Sequence, residues 1–172
     1  MKNKKQFLNL IGLLLALALT FGVIGSVQAA QKNDAITKTL VYQKPLDISL
    51  GRGGFYIPSS YYSGRAVLAR IEPVNTHNLR FTQRWSDLHL YDTSGKEIKN
   101  VYGFVYAYFN LNAEDYSAWK KDKLSIYHYD QSKKVWEVCN TQWISGSTNA
   151  KYGRVACLVT QEFGLFGLAI ER

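Results

Sequence analysis

The chain has few of the residues that most often carry chemistry. Among 172 residues there are two cysteines and three histidines. Two cysteines are too few for a disulfide scaffold or a zinc ribbon. His77, His89 and His128 lie far apart and match no metal-ligand spacing such as HExxH. No metal site is therefore expected, and each histidine reads as a strand or loop residue at the surface. The Gly-x-Ser-x-Gly elbow of hydrolases is missing. Gly95-Lys96 lacks the upstream glycine of a P-loop, and neither Gly51, Gly53 and Gly54 nor Gly164 and Gly167 complete a dinucleotide fingerprint. No cofactor is expected. Carboxylates are present, among them Asp87, Asp92, Glu97, Glu114 and Asp115. A glycosidase needs two of them at a defined separation, which a sequence does not display. The expectation is a protein without catalytic residues.

Long apolar runs are equally scarce. The one that stands out is N-terminal: Leu13 to Ile24 is apolar apart from Thr20, and it follows Lys2, Lys4 and Lys5. Val27-Gln28-Ala29 then places small residues at the −3 and −1 positions of a signal-peptidase site. Residues 1–29 read as a signal peptide, 30–38 as an N-terminal extension and 39–172 as a single domain. An uncleaved anchor is the rival reading, but a spanning helix needs about 20 apolar residues and this core is shorter. No cysteine follows the apolar core, so a bacterial lipid anchor has no attachment point. The mature chain is expected to be secreted or associated with the cell surface (periplasmic if the host has an outer membrane), with no membrane span.

Export revises the charge balance. The whole chain carries +8, and removing three lysines and no acids leaves +5. The densest clusters, Lys120-Lys121-Lys123 and Lys133-Lys134, read as solvated surface. Weak attraction to anionic wall polymers, screened by salt, is the functional alternative. Nucleic acid is not an expected partner, since no recognition motif is present.

What remains is apolar and aromatic: 47% hydrophobic residues, 14% aromatic. That content excludes a disordered chain. From Lys38 onward, short runs rich in Val, Ile, Tyr, Phe and Trp alternate with turn residues such as Asp92-Thr93-Ser94-Gly95. Such spacing predicts an antiparallel sandwich or barrel. Candidate strands are Thr39–Gln43, Leu46–Leu50, Ala66–Glu72, Leu79–Arg84, Leu88–Asp92, Val101–Asn110, Leu124–Asp130, Lys134–Ile144, Gly153–Thr160 and Gly164–Glu171. One helix is expected after Asn112, which caps a first turn carrying Glu114 and Asp115, with lysines following. A mature chain of this length can bury about two-thirds of its unfolded surface, enough for one core.

Cys139 and Cys157 sit in two of the strand-like runs, with a turn region at Ser145–Asn149 between them. Paired as an antiparallel hairpin, these runs would face the cysteines toward each other. An oxidising compartment would then join them, and such a loop stabilises by about 3 kcal/mol in the chain-entropy model. A catalytic thiol competes with that reading but lacks a companion histidine.

Two aromatic features are candidates for ligand binding. In Val101–Phe109, alternation puts Tyr102, Phe104, Tyr106 and Tyr108 on one face, about 6.7 Å apart from one to the next. Tyr127 and Tyr129 extend that row if their strand lies alongside. The segment Gly51–Gly64 breaks the strand rhythm and reads as a loop holding Tyr56, Tyr61 and Tyr62. Tyrosine offers a flat apolar face and a hydroxyl, suited to stacking on sugar rings or on a partner's side chains. The same rings can equally fill a core and reach its rim with their hydroxyls.

Val105-Tyr106, the run Leu124–Asp130, Trp136 after a turn, and the closing run Val159–Ala169 together resemble a ZU5-like β-sandwich module of exported bacterial surface proteins. The resemblance covers roughly residues 88–171 and rests on structural rather than catalytic motifs. The chain departs from that pattern in its cysteine pair and in standing alone after a signal peptide. The resemblance implies an immunoglobulin-like or ZU5-like all-β sandwich used for display or contact, with no active site to carry over. The expected function is a non-catalytic cell-surface or extracellular interaction module, partnered by an unknown protein or a cell-envelope polysaccharide. A carbohydrate-binding module is the alternative, and a small secreted hydrolase with converging carboxylates the second.

Overall fold

The computed structural model describes residues 34–100, 102–144, 150–160 and 162–172. The expected signal peptide and its cleavage site lie outside those residues, as do Val101 and the turn expected at 145–149. The strands are β1 (Asp34–Leu40), β2 (Leu46–Leu50), β3 (Gly53–Ile57), β4 (Gly64–Ile71), β5 (Leu79–Phe81), β6 (Trp85–Asp92), β7 (Glu97–Ile98), β8 (Tyr106–Asn110), β9 (Leu124–Asp130), β10 (Val135–Cys139), β11 (Thr141–Ile144), β12 (Arg154–Leu158) and β13 (Leu165–Glu171). A short helix, α1 (Ala113–Trp119), lies between β8 and β9.

They form two antiparallel sheets, as the all-β sandwich reading expects. The first runs β1-β4-β6-β13-β9-β10, with β5 paired to β13 and β7 to β6. The second runs β11-β12-β8-β3-β2. Alternation along each strand creates the layers. In β6, Ser86, Leu88 and Leu90 are buried while Trp85, Asp87 and His89 on the other face are not; in β2, Leu46 and Ile48 are buried on either side of exposed Asp47. The inner faces meet in one core, where Phe55 of β3 and Phe166 of β13 pack edge to face at 5.3 Å between ring centroids. Burying each such side chain stabilises by roughly 1.5–3 kcal/mol.

The helix forms as expected. The Asn112 side chain accepts from the Asp115 N–H at 2.8 Å, and Asp115 Oδ2 accepts from the Asn112 N–H at 3.1 Å, a reciprocal capping box. Lys120 is the C-cap, so the lysines lie beyond the last turn rather than in it.

Four expectations are corrected. The run expected at Thr39–Gln43 is β1, which begins earlier, at Asp34, and pairs Asp34 with Arg70. Gly53–Ile57 is not loop but a central strand. Its glycines let other groups approach: a Cβ at Gly54 would lie 2.6 Å from the Tyr108 ring and 2.7 Å from the Ile48 carbonyl oxygen. The expected strand Val101–Asn110 starts only at Tyr106, because Gly103 has φ +78°, a left-handed conformation that ends strand geometry. Finally, Lys134–Ile144 divides at Asn140 into β10 in the first sheet and β11 in the second. The two cysteine runs therefore do not pair as a hairpin. Cys139 sits opposite Ile126, Cys157 opposite Ala107, and their disulfide ties one sheet to the other with the Cα atoms 5.9 Å apart. No helix among the described residues is long and apolar enough to cross a membrane.

Candidate functional site

The outer face of the second sheet carries the residues opposite in parity to the core. Ile48, Phe55, Ala107 and Cys157 point inward, so Asp47, Tyr56, Tyr106, Tyr108, Arg154 and Ala156 point outward. The register places Asp47 opposite Tyr56, Tyr56 opposite Tyr106, and Tyr108 opposite Ala156. With Ile144 of the edge strand, these side chains line a shallow depression of about 340 Å³.

Tyr108 is its floor. The ring lies over Gly54, where the missing Cβ makes room, and its hydroxyl donates to Asp47 Oδ1 at 2.6 Å. The Arg154 guanidinium covers the ring from the opposite side, 4.0 Å from the centroid, with its Nε donating to Asn110 Oδ1 at 2.8 Å. So enclosed, Tyr108 is only 3% exposed. Burial, reinforced by the hydrogen bond to the Asp47 carboxylate, pushes its pKa up to about 12, and the phenol stays protonated as a donor. Tyr108 is thus a fixed support and not a stacking surface. The accessible faces belong to Tyr56, 41% exposed, and half-buried Tyr106, direct cross-strand neighbours.

The other tyrosines singled out from the sequence go elsewhere. Tyr102 precedes β8 and packs against Tyr62, 6.0 Å between centroids. Tyr61 lies over Gly103. These three gather on the loops between β3 and β4 and between β7 and β8, so Tyr102 and Phe104 do not continue a strand stripe with Tyr106 and Tyr108. Tyr127 and Tyr129 are corrected too, because β9 belongs to the first sheet. Tyr127 is buried there and donates to Glu171 Oε1 at 2.5 Å; burial and that carboxylate raise its pKa well above the ordinary phenol value. Tyr129 packs on Trp136 at 5.2 Å, beside Phe81 and Trp85, an aromatic cluster not anticipated from the sequence.

The sequence reading also passed over Asp47, Asn110 and Arg154. The only signal for Asp47 was its outward parity in Leu46–Leu50. For Arg154, no signal existed without the pairing of four strands. Each carboxylate noted in the sequence is already engaged. Asp87 and Glu97 both hydrogen-bond His89, Asp92 caps its own turn through Ser94 and Lys96, Glu114 pairs with Arg80 and Asp115 with Arg52. His128, expected at the surface, is half-buried over Phe166 at 4.6 Å, and burial lowers its pKa. Among the described residues, no three His, Cys, Asp or Glu side chains converge as a metal site.

None of the family models, curated proteins or solved structures compared with the chain matches it.

Proposed function

We propose that the chain is an exported, non-catalytic β-sandwich of the ZU5-like kind that binds carbohydrate on the outer face of its second sheet. One observation carries this reading: Tyr56 and Tyr106 stand side by side with accessible rings, bounded by Asp47 and Arg154, whose positions Tyr108 sets. Sugars present apolar C–H faces for stacking and hydroxyls for carboxylate and guanidinium groups, which is the mixture this depression offers. Its volume falls at the lower end of ligand-pocket sizes. The basic N-terminal leader and the disulfide fit an exported protein in an oxidising compartment.

A second reading, contact with a partner protein, is favoured by a different surface. Tyr61 and Tyr102 (58% exposed each) and Phe104 (63%) crowd one end of the sandwich, more apolar area than isolated surface residues bring.

The test is an array of glycans and cell-wall polymers probed with the purified mature protein at low and high salt. Salt-resistant binding to a sugar class, lost in folded Tyr106→Ala and Tyr56→Ala, is the expected outcome. Silence across the array, or binding indifferent to both substitutions, overturns the carbohydrate reading. Binding only to anionic polymers that vanishes with salt assigns the interaction to the scattered lysines instead.

A further inference from the structure

The depression holds a cation that no carboxylate approaches to ion-pair distance. Arg52, Arg80 and Arg84 each form an ion pair, whereas Arg154 has no carboxylate partner among the described residues. Nor can the remaining residues supply one, since every Asp and Glu of the chain is among those described. Its position is nevertheless tightly specified. Tyr108 supports the guanidinium and Asn110 takes the Nε hydrogen, while neither Nη group has a hydrogen-bond partner among the described residues. A guanidinium already ordered before binding loses little side-chain entropy when it meets a ligand. Its planar fork matches a carboxylate through two parallel hydrogen bonds, a geometry a lysine ammonium cannot reproduce.

Asp47 sets the other pole. Tyr108 occupies Oδ1, which leaves Oδ2 free to accept from ligand hydroxyls while repelling an anion. The two poles lie on β2 and β12, with β3 and β8 and their accessible tyrosines between them. Resting on the carbohydrate reading above, we propose that the sugar bound here carries a carboxylate, held by Arg154, with its ring on Tyr56 and Tyr106 and its hydroxyls toward Asp47. The ligand class is therefore an acidic saccharide of the uronic-acid type.

Matched polymers test this directly. Polygalacturonate, alginate and hyaluronan are each titrated into the mature protein by calorimetry, alongside the same polymers with their carboxylates chemically reduced to hydroxymethyl groups. Poly-L-glutamate serves as a carboxylate polymer without sugar rings. The expected result is binding to at least one acidic polymer, weakened at least about tenfold in its reduced counterpart, as fits the loss of a charge-assisted bidentate contact. Arg154→Gln should weaken the acidic polymer by a much larger factor than its reduced form, so that the two affinities converge. Arg154→Lys should recover only part of the loss. Equal affinity for acidic and reduced polymers, or an unaffected Arg154→Gln, overturns the assignment of the carboxylate while the sugar site stands. Poly-L-glutamate bound as tightly as the best acidic sugar overturns it as well. Failure of every polymer, acidic and neutral, removes the carbohydrate reading together with this one.

Discussion

Asp47 and Tyr108 share a 2.6 Å hydrogen bond although a whole strand, β3, separates the strands that carry them. The bond is made because the Tyr108 ring lies flat across Gly54 instead of standing away from the sheet. Local sequence, packing and site chemistry meet at that glycine. It weakens the strand's own propensity, yet it lets one aromatic ring span the gap and hold both polar ends of the depression.

Replacing Gly54 should therefore damage the site before it damages the fold. In Gly54→Ala the new methyl meets the ring and the Ile48 carbonyl, and the ring must lift. Overpacking of this kind costs about 1–3 kcal/mol. The phenol that titrates near pH 12 should move toward its ordinary value near 10 as it gains water and loses Asp47. Ultraviolet titration of the tyrosines reads that shift. An unchanged titration curve in the variant would show that the ring does not depend on Gly54.

The disulfide joins opposite sheets, so its loss should loosen the sandwich where β10 meets β12. The 18-residue separation corresponds to about 3 kcal/mol in the chain-entropy model, with a fall in Tm of about 10 °C for a domain of this size. The double variant Cys139→Ser, Cys157→Ser should melt lower by that amount yet still fold, because the rest of the core they adjoin, with Phe55 packed on Phe166, remains. Equal melting of oxidised and reduced protein would contradict this account.

How much of this could be read beforehand follows from which forces are local. Leu46–Leu50 and Leu124–Asp130 coincide with β2 and β9, because alternation over five to seven residues is a local signal. The Asn112 cap was legible for the same reason. Gly53–Ile57 was not, since glycines that read as a turn are demanded here by the rings of Phe109 and Tyr108 pressing on them. The cysteine pair is legible, and a hairpin does form, but between Thr141–Ile144 and Arg154–Leu158 with Cys139 outside it: nothing local at Asn140 announces that the chain leaves one sheet for the other. The tyrosine stripe had the right parity for Tyr106 and Tyr108, yet Gly103 turned Tyr102 away. Asp47 and Arg154 stayed hidden because only register across β2, β3, β8 and β12 brings them to one depression.

Asp115 should be among the more sensitive positions outside the core. It is fully buried, closes the capping box and receives the Arg52 guanidinium at 2.5 Å, while Arg52 also donates to the Thr82 carbonyl at 3.0 Å. Asp115→Asn keeps the shape but weakens both charge-assisted contacts, with an expected loss of about 1–3 kcal/mol in denaturant unfolding. Asn112→Ala removes only the neutral half of the box and should cost about 1 kcal/mol. A smaller effect for Asp115→Asn than for Asn112→Ala would mean that the Arg52 contact contributes nothing.

His89 makes stability fall with rising pH. Its Nε2 faces Asp87 at 3.1 Å and its Nδ1 faces Glu97 at 2.6 Å, with Tyr91 stacked beside it. The Asp87 hydrogen bond, opposed by burial and aided by Glu97, raises its pKa to about 9 from 6.5. The folded state thus binds the proton more tightly than the unfolded chain does. The resulting stabilisation is complete below about pH 6.5 and disappears as pH rises through about 9. Tyr108 and Tyr127, whose pKa values are also raised, add a loss of their own only above pH 10. Melting curves between pH 7.5 and 9.5 therefore isolate His89, since His128, whose pKa burial lowers, titrates below that window. Wild type should lose stability across that window, and His89→Gln, lacking the charge, should show a flatter profile with a lower Tm at pH 7.5. Parallel profiles for the two proteins would show that the imidazole between Asp87 and Glu97 is not the group that titrates.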